Sequence, residues 1–132
     1  MACETKATQE PLFELARIVD HALATRNRRD AVAGAEQLLE ALFVHHRALR
    51  GFRERSDPIT AALIETNTVV MIAEVALTIG ELTDGGRWPQ PLLRCHVEEL
   101  VDIETDCGAL RGSEPTSMVP VVRIRNAGKP PL

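Results

Sequence analysis

The stretch "SDPITAALIETNTVVMIAEVALTIGELTDGG", residues 56–86, constrains this chain more than any other. Asp57 is a favoured N-cap residue, and Pro58 suits the first helical position, where a missing N–H costs nothing. The glycine pair at the far end is a helix stop. Between these marks the spacing predicts a helix over 58–82. Its apolar residues cover most of the helical circumference, leaving Asn67, Glu74, Thr78 and Glu81 as a narrow polar strip. A helix this apolar must be covered on more than one side, as the centre of a helical domain or in a subunit interface. Val69, Ile72, Val75, Ala76 and Ile79 are therefore expected to meet a second copy, giving a homodimer. Glu65, Asn67, Glu74 and Glu81 break the apolar run, which argues against a membrane span.

Three further helices are expected around it. The first covers 9–24, with Pro11 in its opening turn and Leu12, Leu15, Ala16, Val19 and Leu23 as its apolar stripe. The second is capped by Asp30 and runs to about residue 53, with Val32, Ala35, Leu39, Leu42, His46 and Leu49 inward. The fourth covers 91–110 and turns Leu92, Leu93, His96, Leu100, Ile103, Cys107 and Leu110 to the core. Short connections between long helices predict an all-α, antiparallel up-down four-helix bundle over 1–111. Residues 112–132 hold Pro115, Pro120, Pro130 and Pro131 and are expected to form an extended basic tail. There the alternation in "MVPVVRIR" makes Val121, Arg123 and Arg125 interaction candidates.

Composition narrows the function. In 132 residues there are three Phe, one Trp and no Tyr, so few platforms exist for stacking nucleic-acid bases. Residues 1–110 carry 11 Lys+Arg against 18 Asp+Glu. An acidic body argues against general nucleic-acid binding. The first ten residues lack the basic and apolar regions of a signal peptide. Cys95 and Cys107 stand about 18 Å apart on one expected helix, too far to bridge. Reduced thiols and a cytoplasmic setting are the expectation.

The segment "FVHHRALRGFRER" (43–55) raises the question of a metal or acid–base site. Adjacent residues project about 100° apart on a helix, so His45 and His46 cannot clasp one ion together. His46 falls within the apolar stripe and His45 on its flank. Counting outward from the turn at 54–57 sets His46 level with Glu65, also amid apolar neighbours. A structural hydrogen bond or ion pair between the two is expected, because each would otherwise bury an unpaired polar group.

The acidic run "HVEELVDIETD" (96–106) resembles the acidic helices of all-α nucleotide pyrophosphatases similar to MazG, over about ten residues. That resemblance implies magnesium held by E-x-x-E and E-x-x-D pairs on neighbouring helices. Glu99-x-x-Asp102 matches half of the pattern; Glu36 and Glu40, spaced four apart, do not supply the other half. Neither Arg17-x3-His21 nor Arg94-x-His96 matches the R-x4–6-H spacing of HEPN-type ribonucleases. No Ser–His–Asp order, P-loop, glycine fingerprint or CxxC pair is visible.

The sequence therefore predicts a small non-enzymatic interaction protein, an adaptor, inhibitor or assembly subunit binding a protein partner without cofactor or metal. Its size and build are common among phage-encoded and host-defence accessory proteins. Two alternatives stand beside it: a metal-dependent nucleotide hydrolase, and a helical subunit of a nucleoprotein complex using Arg26, Arg28, Arg29 and the basic tail on phosphates.

Overall fold

The computed structural model describes residues 2–108, and those residues are helical without a strand. Four long helices, α1 (Ala2–Ala24), α2 (Arg28–Ala48), α4 (Pro58–Asp84) and α5 (Leu93–Asp106), are joined by connections that include the short α3 (Arg50–Arg55). The expected tail, with Val121, Arg123 and Arg125, and the expected end of the fourth helix at Leu110 lie outside the described residues.

The helix α1 starts at Ala2, not near Gln9, so Pro11 sits inside it. Ala, Glu, Lys and Gln before Pro11 are strong helix formers. Their propensity carries the helix through a residue that lacks one backbone donor. The helix closes with paired hydrogen bonds from Asn27 N to Ala22 O (2.8 Å) and from Arg26 N to Leu23 O (3.2 Å). Arg26 takes the left-handed conformation (φ 59°) that such an ending requires.

Asn27, not Asp30, caps α2; its side-chain oxygen accepts from Asp30 N at 3.1 Å. The helix breaks at Leu49, and α3 continues the chain to the turn. The cap of α4 is the expected one: Asp57 accepts from the amides of Ile59 and Thr60, both at 3.1 Å, and Gly85 closes the helix at φ 75°. For α5 the cap is tertiary. Asp20 on α1 accepts from Leu93 N (3.0 Å) and Arg94 N (2.9 Å), satisfying two of the orphan donors of its first turn.

Each long helix packs against two others: α1 on α2 and α5, and α4 on α2 and α5. The main core joins Leu12, Ala16, Val19 and Leu23 of α1 with Ala31, Ala35, Leu38 and Leu42 of α2. Met71, Val75 and Leu82 of α4 and Leu93, Val97 and Leu100 of α5 complete it. The inward line of α2 is Ala31, Ala35, Leu38, Leu42, His45 and Leu49, rotated from the expected one through Val32, Leu39 and His46. Close approach explains the rotation. A Cβ on Gly34 would stand 2.9 Å from Val19 Cγ2, so α1 closes in where α2 carries small residues. A smaller cluster of Leu49 and Ile64, with Phe52 and Cys107 against it, ties the α2–α3 break to α4 and the end of α5.

Candidate functional site

Rotation of α2 exchanges the two histidines. His45 is fully buried, and so is Glu104 in the last turn of α5. His45 Nε2 lies 2.9 and 3.0 Å from the two Glu104 oxygens, and Gln9 Nε2 donates to Glu104 Oε1 at 2.8 Å. On the other side of the ring, Nδ1 lies 2.7 Å from Thr8 Oγ1. Since Nε2 faces an acceptor carboxylate, it carries the ring proton and donates, leaving Nδ1 to the Thr8 hydroxyl. Three helices are thereby joined through one buried polar chain, Thr8–His45–Glu104–Gln9.

The order hydroxyl, imidazole, carboxylate is that of an activated nucleophile. Acyl transfer needs, in addition, donors aimed at the developing oxyanion. Thr8 lies inside α1, where backbone N–H groups are committed to the helix, and Gln9 is already spent on Glu104. The arrangement is suited to holding helices in register. A buried carboxylate with three hydrogen-bond contacts is costly to disturb, because each partner would be left unpaired.

His46 lies at the surface of this region, not in the core. Its Nε2 is 3.4 Å from Glu65 Oε2, with the side chains 29% and 49% exposed. Arg53 completes the group: Nε lies 3.2 Å from Glu65 Oε1, and Nη1 donates to His46 O at 2.9 Å. His96, expected in the core, is half-buried and pairs with Glu74 of α4 at 3.1 Å.

Of the five apolar interaction candidates on α4, Val75 is fully buried, and Ile72 and Ile79 pack partly buried against the core. Only Val69 and Ala76 are on the outward face. Thr78, expected in the polar strip, is buried as well. The helix is apolar on its outward side as well as its inward one. Its buried line, Thr60, Ile64, Thr68, Met71, Val75, Thr78 and Leu82, contains three threonines, two of which return their hydroxyls to the helix's own carbonyls. Its exposed face carries Ile59 (72% exposed), Val69 (48%), Val70 (51%) and Leu77 (64%). Ala62, Thr66, Ala73 and Ala76 are exposed between them. Glu65 is the one exposed charged residue on α4 from Ile59 to Gly80, and it is paired with His46 and Arg53 at the edge of that face. Beside it, an open cleft of ≈ 430 Å³ between α4 and α5 is lined by Val70, Ala73, Glu74, Leu77, Leu92 and His96. By length and composition α4 is also apolar enough to cross a bilayer.

The remaining sequence candidates fall elsewhere. Glu36, Glu40, Glu99 and Asp102 are exposed, and among the described residues no three metal-ligating side chains gather. The guanidinium groups of Arg26 and Arg28 lie 5.0 and 5.3 Å from the Trp88 ring, and Arg28 also donates to Leu82 O at the end of α4. Trp88 Nε1 in turn donates to Leu23 O at 2.9 Å. Trp88 and the two arginines thus tie the end of α1 and the start of α2 to the end of α4. Comparison of the chain with family models, curated proteins and solved structures finds no match in any of the three.

Proposed function

We propose that this chain is a small non-enzymatic interaction module, an antiparallel up-down four-helix bundle that engages a protein partner through the outward face of α4. One observation carries the reading: the outward face of α4 is largely apolar, with Glu65 at its edge its one exposed charge from Ile59 to Gly80, while its inward line contains three threonines. A solvated helix presents the reverse arrangement. An exposed apolar strip of this extent marks a contact surface. The free Cys95 and Cys107 fit a reducing cytoplasmic setting for that contact. The buried Thr8–His45–Glu104–Gln9 chain serves as the support, joining α1, α2 and α5, of which α2 and α5 pack against α4.

Photocrosslinking in the native cell tests this. A benzophenone side chain at Leu77 is expected to trap protein, and the same group at Glu36, exposed on α2, to trap little. Equal yields from both positions would remove α4 as the working surface, and trapping of lipid alone would make the partner a membrane.

A further inference from the structure

One end of the bundle gathers charge of a single sign and leaves it unpaired. We infer that this end, formed by Arg26, Arg28, Arg29 and Arg87 around Trp88, binds a compact cluster of phosphate groups, such as a diphosphate or triphosphate. The site is apart from the outward face of α4 and does not depend on it.

The four arginines come from two distant places in the chain. Arg26, Arg28 and Arg29 belong to the α1–α2 connection and the first turn of α2, whereas Arg87 and Trp88 lie between α4 and α5. Trp88 joins the two. Its indole N–H donates to Leu23 O at 2.9 Å, and the Arg26 and Arg28 guanidinium groups lie 5.0 and 5.3 Å from its ring. Those two charges therefore stand no more than about 10 Å apart, a Debye length at 0.1 M salt. Arg29 and Arg87 adjoin them in sequence, and all four arginines are exposed.

Arg17, Arg50, Arg53 and Arg94, elsewhere on the surface, each have a carboxylate oxygen within 3.4 Å. Among the described residues, no ion pair reaches any of the four arginines at this end. The carboxylates close by are engaged otherwise: Asp30 accepts from Asn27, and Asp20 caps α5. The electron-rich face of Trp88 steadies the two guanidinium groups beside it but neutralises neither. A concentrated positive potential is left at this end.

These groups select the ligand. Guanidinium forks bind oxyanions through paired N–H bonds. A single carboxylate would occupy one fork of four. A long polyanion would run off this end onto a body with 18 Asp+Glu against 11 Lys+Arg over residues 1–110, four of the eleven being these arginines. Linked phosphoryl groups bring several charges within reach of all four forks and extend no further.

Trp88 is the one tryptophan of the chain, so its emission reports on the site directly. With the purified full chain at low salt, tripolyphosphate is expected to change that emission saturably, and equilibrium dialysis to retain one molecule per chain. Arg29→Gln and Arg87→Gln leave the two guanidinium groups beside the ring in place. Each is expected to weaken binding about tenfold, and the pair about 100-fold, with an unchanged helical spectrum. Arg50→Gln, beyond the far end of α2, is expected to leave binding unchanged. An equal loss there would reduce the effect to net charge and overturn the site, as would dialysis that retains no tripolyphosphate. Two further arms distinguish the source of the phosphates, and either leaves the site standing. Competition by ATP identifies a soluble ligand; co-sedimentation with vesicles containing phosphorylated phosphatidylinositol, lost in Arg29→Gln/Arg87→Gln, identifies a lipid headgroup. Tighter binding of an oligonucleotide or a glutamate-rich peptide than of tripolyphosphate would make this end a nucleic-acid or protein contact and overturn the assignment.

Discussion

Replacing Glu104 with alanine is the sharpest probe of the buried network. The carboxylate is wholly buried and receives Gln9 Nε2 at 2.8 Å and His45 Nε2 at 2.9 and 3.0 Å. Alanine removes the acceptor and leaves two buried donors, each costing about 1–3 kcal/mol. Breaking a buried charged contact by removing one partner costs about 3–5 kcal/mol in total. Against the roughly 5–15 kcal/mol that holds a small domain folded, that is a large share. Urea unfolding followed by circular dichroism at 222 nm would measure it. The double variant His45→Leu/Glu104→Leu is expected to be more stable than Glu104→Ala, because two apolar side chains need no partners. A loss below about 1 kcal/mol for Glu104→Ala would refute the reasoning. So would strict additivity of His45→Ala and Glu104→Ala, since side chains in direct contact couple.

Three other outcomes are expected. Gly34→Val is expected to destabilise by about 1–3 kcal/mol, since a Cβ there already stands 2.9 Å from the buried Val19; thermal melts that match wild type would show that α1 can move away. Hydrogen bonds from the Thr60 hydroxyl, and then from backbone amides, hold the Asp57 carboxyl below its ordinary value of 3.8. Its share of stability is therefore present above that value and lost as pH falls through the lower folded value. Asp57→Asn should flatten that part of an acid titration of stability. Burial first, and then the neighbouring Asp106, Glu104 and Asp57 carboxylates, push the half-buried Cys107 thiol up. Iodoacetamide at neutral pH is expected to alkylate the exposed Cys95 well before Cys107, with peptide mass spectrometry as the readout.

Features of the fold set by local chemistry were legible in the sequence. The ends of α4 are an example: Asp57, Pro58 and Gly85 act on their own backbone neighbours, so their meaning does not depend on tertiary context. The start of α5 was not legible in the same way. Its cap is Asp20, 73 residues earlier in the chain, and nothing near Leu93 announces it. The start of α1 was obscured by Pro11, whose preference for a first turn is overridden by the helix formers before it.

The errors at the candidate site share one physical cause. On α2 the residue types leave two registers one position apart, since Leu38 and Leu39, and His45 and His46, are alike; the larger Val32 points to one and the small Ala31 to the other, and the structure buries Ala31, Leu38 and His45. At a close helix crossing the small residues face inward, because Ala31, Gly34 and Ala35 mark where the neighbouring backbone comes nearest. Once the small residues are taken as inward, His45 joins the core line. Glu104, four residues beyond Leu100 and seven beyond Val97, joins it on α5. A histidine and a glutamate, each aligned with buried leucines, are then the signature of the pair that the structure brings within 2.9 Å. The same rule reads α4 in the opposite sense. There Ala62, Ala73, Ala76 and Gly80 are small and outward. Those residues meet no other described helix of the chain, so small size marks a close crossing only where, as at Gly34, a neighbouring helix is packed against it.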